Sequence, residues 1–168
     1  LSSYAIFNNN GTVGSANATV RCGIVQEQDA NKNVVFEWHS KDYFNFTEVD
    51  TMRLLNPANV DWTHFNAVEL DDDGNILVSV RHFNEITKVN RSTGAVMWRL
   101  GGKMNQFTFT NDSTQFIGQH DIRRIANGNI TILDNGRPGP PVHPVRAKEY
   151  SLDENNLIAT LVWSHTSD

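Results

Sequence analysis

The chain has 168 residues, enough for one domain with a substantial core, and 14 Lys+Arg against 19 Asp+Glu leave a formal charge of −5. An acidic chain gains little from counterion release, which excludes a general nucleic-acid-binding role. The longest apolar runs, such as Ile76-Leu77-Val78, are too short to span a bilayer, and the single Cys22 rules out both an intrachain disulfide and a cysteine zinc site.

In chain order the elements read as short strands joined by tight turns, with no helix longer than a turn or two. Residues 25–29 lead through a polar turn into 34–38, which ends in Trp38. Residues 68–70 and 76–80 flank Asp72-Asp73-Gly74-Asn75, where Asp-Gly supplies the positive φ that a hairpin needs. Residues 86–90 turn at Ser92-Thr93-Gly94 into a strand ending in Trp98. The Asp-Gly plan returns at 122–133 around Asn127-Gly128-Asn129, followed by a hairpin at 149–163 that ends in Trp163. Arg137-Pro138-Gly139-Pro140-Pro141 reads as the loop between those last two hairpins.

The three tryptophans that end hairpins, of four in the chain, recur about every 60 to 65 positions, with one glycine-turn hairpin between each pair. Two hairpins per repeat make a four-stranded sheet, the unit of a β-propeller, whereas a β-sandwich carries no recurring Trp signature. The expected fold is therefore all-β: a β-propeller of four-stranded antiparallel blades, with approximate units 1–40, 41–100 and 101–165. Propellers close with four or more blades, so the rest of the propeller, or other copies of the chain, is expected to cover the open blade faces.

A few polar residues stand beside strands where packing alone does not require them. Asn66 lies eight residues before Gly74, and His120 eight before Gly128. They occupy equivalent places at the entrance of the innermost strand in successive repeats, where a propeller lines its channel. By strict alternation His64 shares the Asn66 face, and Arg81 ends the partner strand. Two imidazoles, an amide and a guanidinium suit a tetrahedral oxyanion, while the lack of a carboxylate cluster argues against calcium. An ion pair of Arg81 with Asp61 or Asp121, and zinc held by His64, His120 and either His82 or His143, are alternatives to that reading. His39 reads as a solvated loop residue, His143 as loop packing, and Gly101-Gly102 as a tight turn between blades, with a channel-rim charge the lesser of the readings for Lys103. His165 carries no context, and Ser79 lacks a nucleophile-elbow pattern.

At these residues the sequence resembles the arylsulfate sulfotransferase family, β-propeller enzymes independent of PAPS. The resemblance rests on residues 61–68, 72–81, 94–102, the Gln119-His120-Asp121 triplet and 133–136, which occur in family order. It implies a six-bladed propeller, about half of it in this chain, with an active site in the central channel. It also implies sulfuryl transfer from a phenolic sulfate donor to a phenol acceptor through a sulfohistidine, without a cofactor or metal. Carried over residue by residue, His120 matches the nucleophile, His64 and Asn66 the His-x-Asn pair contacting the sulfuryl oxygens, and Arg81 the arginine of the strand end. Two departures stand out: a further histidine of the bacterial members has no match, and Asp42-Tyr43 replaces an Asp-His seen in relatives.

Asn-x-Ser/Thr triplets begin at Asn10, Asn17, Asn45, Asn90, Asn111 and Asn129, an excess that points to a secreted or extracytoplasmic glycoprotein. A catalytically silent propeller, used as a structural or interaction module, is the competing expectation.

Overall fold

The structure is a computed structural model that describes residues 19–50, 59–137 and 143–166, together with the backbone of 7–8 and 11–12. Among the described residues fifteen strands run in chain order. They are β1 (Phe7–Asn8), β2 (Gly11–Thr12), β3 (Thr19–Arg21), β4 (Ile24–Gln28), β5 (Val34–His39), β6 (Asn59–Asp61), β7 (Phe65–Leu70) and β8 (Ile76–Val80), then β9 (Glu85–Val89), β10 (Val96–Gly101), β11 (Thr108–Thr110), β12 (His120–Arg124), β13 (Ile130–Asp134), β14 (Arg146–Asp153) and β15 (Ile158–Thr166). Three-residue 3-10 turns are the only helical pieces among the described residues. The protein is all-β.

Strands β7 to β10 form an antiparallel meander in the order β10-β9-β8-β7. Strands β12 to β15 repeat it, with β11 added as a fifth strand parallel to β15. That fifth strand departs from the expected four. The connection after β10 runs back along the outer edge, held by Thr108 N donating to the Leu157 carbonyl and Thr110 Oγ1 to Thr160 Oγ1. Earlier in the chain, β4 and β5 form the Trp38 hairpin and β3 pairs with β6 in parallel. All three hairpins that end in Trp form where the sequence places them. His39 closes β5 instead of lying in a loop, and its Nε2 contacts Glu37 Oε1 at 2.6 Å.

The sheet β7–β10 is packed on both sides, and alternation along β8 explains how. Ile76, Val78 and Val80 enter a core shared with Val25, Trp38 and Trp62, while Leu77 enters a second core with Ile122, Ile130 and Tyr150. The β8 side chains are all buried. The tryptophans tie successive units together. Trp38 Nε1 donates to the Gly94 carbonyl and Trp98 Nε1 to Glu154 Oε2, both 2.9 Å long and both spanning 56 residues. Trp163, third in the series, is 52% exposed.

Charge also joins the two meanders. Lys88, 2% exposed, contacts Asp71, Asp73 and Glu154, each at 2.8 Å, and Arg124 forks onto Asp71 at 2.6 and 2.8 Å. Buried charges are tolerated only when paired in this way. Of the sequon asparagines, Asn111 is exposed, Asn45 and Asn90 organise their own turns through Oδ1, and Asn129 Nδ2 donates to Glu149. Asn10, Asn17 and the run 138–141 lie outside the described residues.

Candidate active site

Strands β7 and β12 are neighbours, and Asn66, second in β7, and His120, first in β12, are two of the polar groups singled out from the sequence. Both strands start with a register shift, between Phe65 and Ala67 on β7 and between His120 and Arg123 on β12. Such bulges re-aim a side chain at a strand end. Asn66 Nδ2 donates to the Gln119 carbonyl at 2.7 Å, which fastens the two entrances to each other. Ser79 Oγ and Gln119 Nε2, 3.1 Å apart and buried, add a second tie beneath them.

Arg81 opens the 3-10 turn Arg81–Phe83 directly after β8. Its Nε donates to His120 Nε2 at 3.2 Å, and its Nη1 lies 3.1 Å from His82 Nε2. A guanidinium only donates, so both imidazole nitrogens accept and both rings carry their proton on Nδ1. His82 Nδ1 donates to the Asp61 carbonyl at 2.5 Å. The Asp61 carboxylate holds His64 Nδ1, also at 2.5 Å, and the His64 and His82 rings lie 4.6 Å apart. His64, His82, Arg81 and His120 therefore form one contiguous cluster, with Asn66 joined to it through the backbone beside His120.

The environment keeps two of these rings uncharged. Burial, then the Arg81 charge, then His64 lower the His120 pKa below its ordinary value. Burial also lowers that of His82, and the nearby His64 and Arg81 charges add to the effect over the opposing pull of Asp61. An uncharged imidazole with Nε2 unprotonated is a nucleophile, and a guanidinium beside it is a fixed donor for an anion. Beside His64 opens a groove of about 340 Å³ whose lining includes Arg21, Cys22, Ile24, Asp61 and Phe65.

Several sequence expectations need correction. His64 does not share a strand face with Asn66: it precedes β7 with φ at +49°, and its position comes from the turn and from Asp61. Arg81 makes its contacts to imidazoles, while Asp61 pairs with His64 and Asp121 with Arg123. Lys103 Nζ donates to the carbonyls of Thr47 and Val49. His143 contacts Asp134 at 2.8 Å and, among the described residues, does not belong to a group of side chains close enough to share an ion. Among the described residues Asp61, His64 and His82 lie close enough together to surround an ion. The lone pair that His82 Nε2 would offer already accepts from the Arg81 cation, so the donor set suits an anion better than a metal.

The role of His82 and the double use of Asp61 were missed in the sequence. Adjacency of His82 to Arg81 was the one available signal, since the contact with the Asp61 carbonyl spans 21 residues. A family model described as Arylsulfotransferase (ASST) matches residues 4–168. No curated protein matches the chain.

Proposed function

Because the chain belongs to the arylsulfotransferase family, we propose that its cluster moves a sulfuryl group from a phenolic sulfate ester to a phenol by way of a sulfohistidine on His120. The observation that carries this reading is the 3.2 Å hydrogen bond from Arg81 Nε to an unprotonated His120 Nε2. At rest the guanidinium caps the lone pair. A sulfuryl oxygen of the donor takes over that hydrogen bond, which frees Nε2 to attack sulfur. The N–S bond forms as the S–O(aryl) bond breaks, and the aryl oxide leaves with the bonding pair.

The other groups have roles to match. Arg81 and the second Nδ2 proton of Asn66 stabilise charge on the sulfuryl oxygens. His64, with Nδ1 held by Asp61, presents Nε2 to hand a proton to the departing aryl oxide and to take one from the incoming phenol. The groove beside it, with Phe65 and Ile24 in its wall, accommodates an aromatic ring. No cofactor is required by this chemistry.

The repeated meanders and the 56-residue Trp contacts support a propeller, with units near 1–40, 41–100 and 101–165 forming about half of a six-bladed ring. The sequons support an extracytoplasmic or secreted setting. The test uses the full-length protein with an aryl sulfate and a phenol. Radiolabelled sulfate should appear on the protein from the donor alone, and His120→Ala should abolish labelling and lower transfer by at least about a thousandfold. Transfer that survives His120→Ala overturns the assignment.

A further inference from the structure

We infer that His82 is a positioning residue that holds the Arg81 guanidinium against His120, and that it does so only while its Nε2 is unprotonated. The inference rests on the sulfuryl-transfer reading and adds a second imidazole to the machinery. His82 is 5% exposed and both of its ring nitrogens are engaged, Nδ1 on the Asp61 carbonyl and Nε2 on Arg81 Nη1. Its own carbonyl accepts from Asp50 N, so the ring is fixed from the backbone as well. Arg81 is thereby held at two points, Nη1 on His82 and Nε on His120, and its plane cannot rotate without losing one of them.

A proton on His82 Nε2 would remove an acceptor and place a second cation 3.1 Å from the guanidinium. The charged and titratable groups around the ring are Asp61 from β6, His64 from the following turn, Arg81 beside it, His120 from β12 beyond Arg81, and Asp50 under the turn. Of these, only Asp61 and Asp50 would favour that proton. Asp61 offers its carbonyl to His82 and its carboxylate to His64, while Asp50 accepts from Asn84 Nδ2. Acidification should therefore release Arg81 from the site in addition to protonating the nucleophile.

The experiment compares wild type, His82→Gln and His82→Phe in steady-state transfer from an aryl sulfate to a phenol across pH, with His120→Ala as the reference for the nucleophile. Glutamine keeps an acceptor for Arg81 and does not titrate; phenylalanine keeps bulk and accepts nothing. His82→Phe should lower kcat about 10- to 100-fold, the worth of a hydrogen bond to a charged group, with a smaller change in donor KM. His82→Gln should recover most of kcat, and its acid limb should follow one ionisation where the wild type follows two. If His82→Phe does not fold, as judged by circular dichroism, the pH profile of His82→Gln alone decides. An acid limb of His82→Gln that superimposes on wild type overturns the inference, as does a folded His82→Phe with wild-type kcat. A wild type that depends on His120 while the position-82 variants behave like it sinks the positioning role alone. A wild type without transfer sinks the functional reading and this inference together.

Discussion

At the scale of single residues, the site depends on which nitrogens are bare. The His120 pKa is lowered by burial and then by Arg81, so the uncharged form, the one that attacks in the proposed transfer, persists below the ordinary histidine value of about 6.5. The sign follows: first-half-reaction activity should stay high as pH falls through that value and decline only further into acid. Single-turnover labelling of the protein from pH 4 to 8 checks this; a midpoint above 6.5 contradicts it. Asp61→Asn should keep the fold but lose the charge that orients His64, slowing transfer to phenols of high pKa more than to those of low pKa. A series of substituted phenols reads out that slope. His120 and Asn66 were legible as sequence positions because their offsets from turn glycines recur, and Arg81 because it ends the strand paired with the one that follows Asn66. His82 was not, since its partners are a backbone carbonyl 21 residues away and a neighbour's side chain.

At the scale of elements, the 3-10 turn that carries Arg81 and His82 is held by a feature the sequence displays openly. Gly101 and Gly102 have φ of +84° and +67°, and a Cβ on Gly102 would collide with the Phe83 carbonyl at the end of that turn. The sequence reads the pair as a tight turn between blades; it also backs the turn that carries Arg81 and His82. Gly102→Ala should cost about 1–3 kcal/mol of stability and reduce transfer beyond what the stability loss explains. Thermal unfolding together with kcat measures both. The bulges at the starts of β7 and β12 explain where pattern reasoning failed. Strict alternation predicts a shared face for His64 and Asn66, but an irregular register and a left-handed residue set the geometry there. The hairpins were legible because Asp-Gly and Asn-Gly turns and alternating strands are local signals. The parallel edge strand β11 was not, because its pairing with β15 is 50 residues distant.

At the scale of the whole molecule, two devices bind the units: tryptophan contacts between the outer hairpins and the buried charge network at the turn end of the meanders. Removing Lys88 would leave Asp73 without its cation, and Asp71 and Glu154 to share Arg124 alone. Lys88→Met should destabilise the protein by about 3–5 kcal/mol, measured by denaturant unfolding. Partial burial raises the Asp73 pKa, but hydrogen bonds from Lys88 and Asn75 more than offset it and bring it to about 2. A depressed carboxylate contributes stability above its unfolded value of about 4 and loses it as pH falls toward 2. The difference in stability between wild type and Lys88→Met should therefore shrink between pH 4 and 2.

The equal stride of the two indole contacts hides a chemical difference: Trp38 donates to a backbone carbonyl, whereas Trp98 donates to the Glu154 carboxylate. No side-chain replacement at position 94 takes away the first acceptor, while Glu154→Ala would leave the Trp98 indole N–H without its partner and loosen that junction alone.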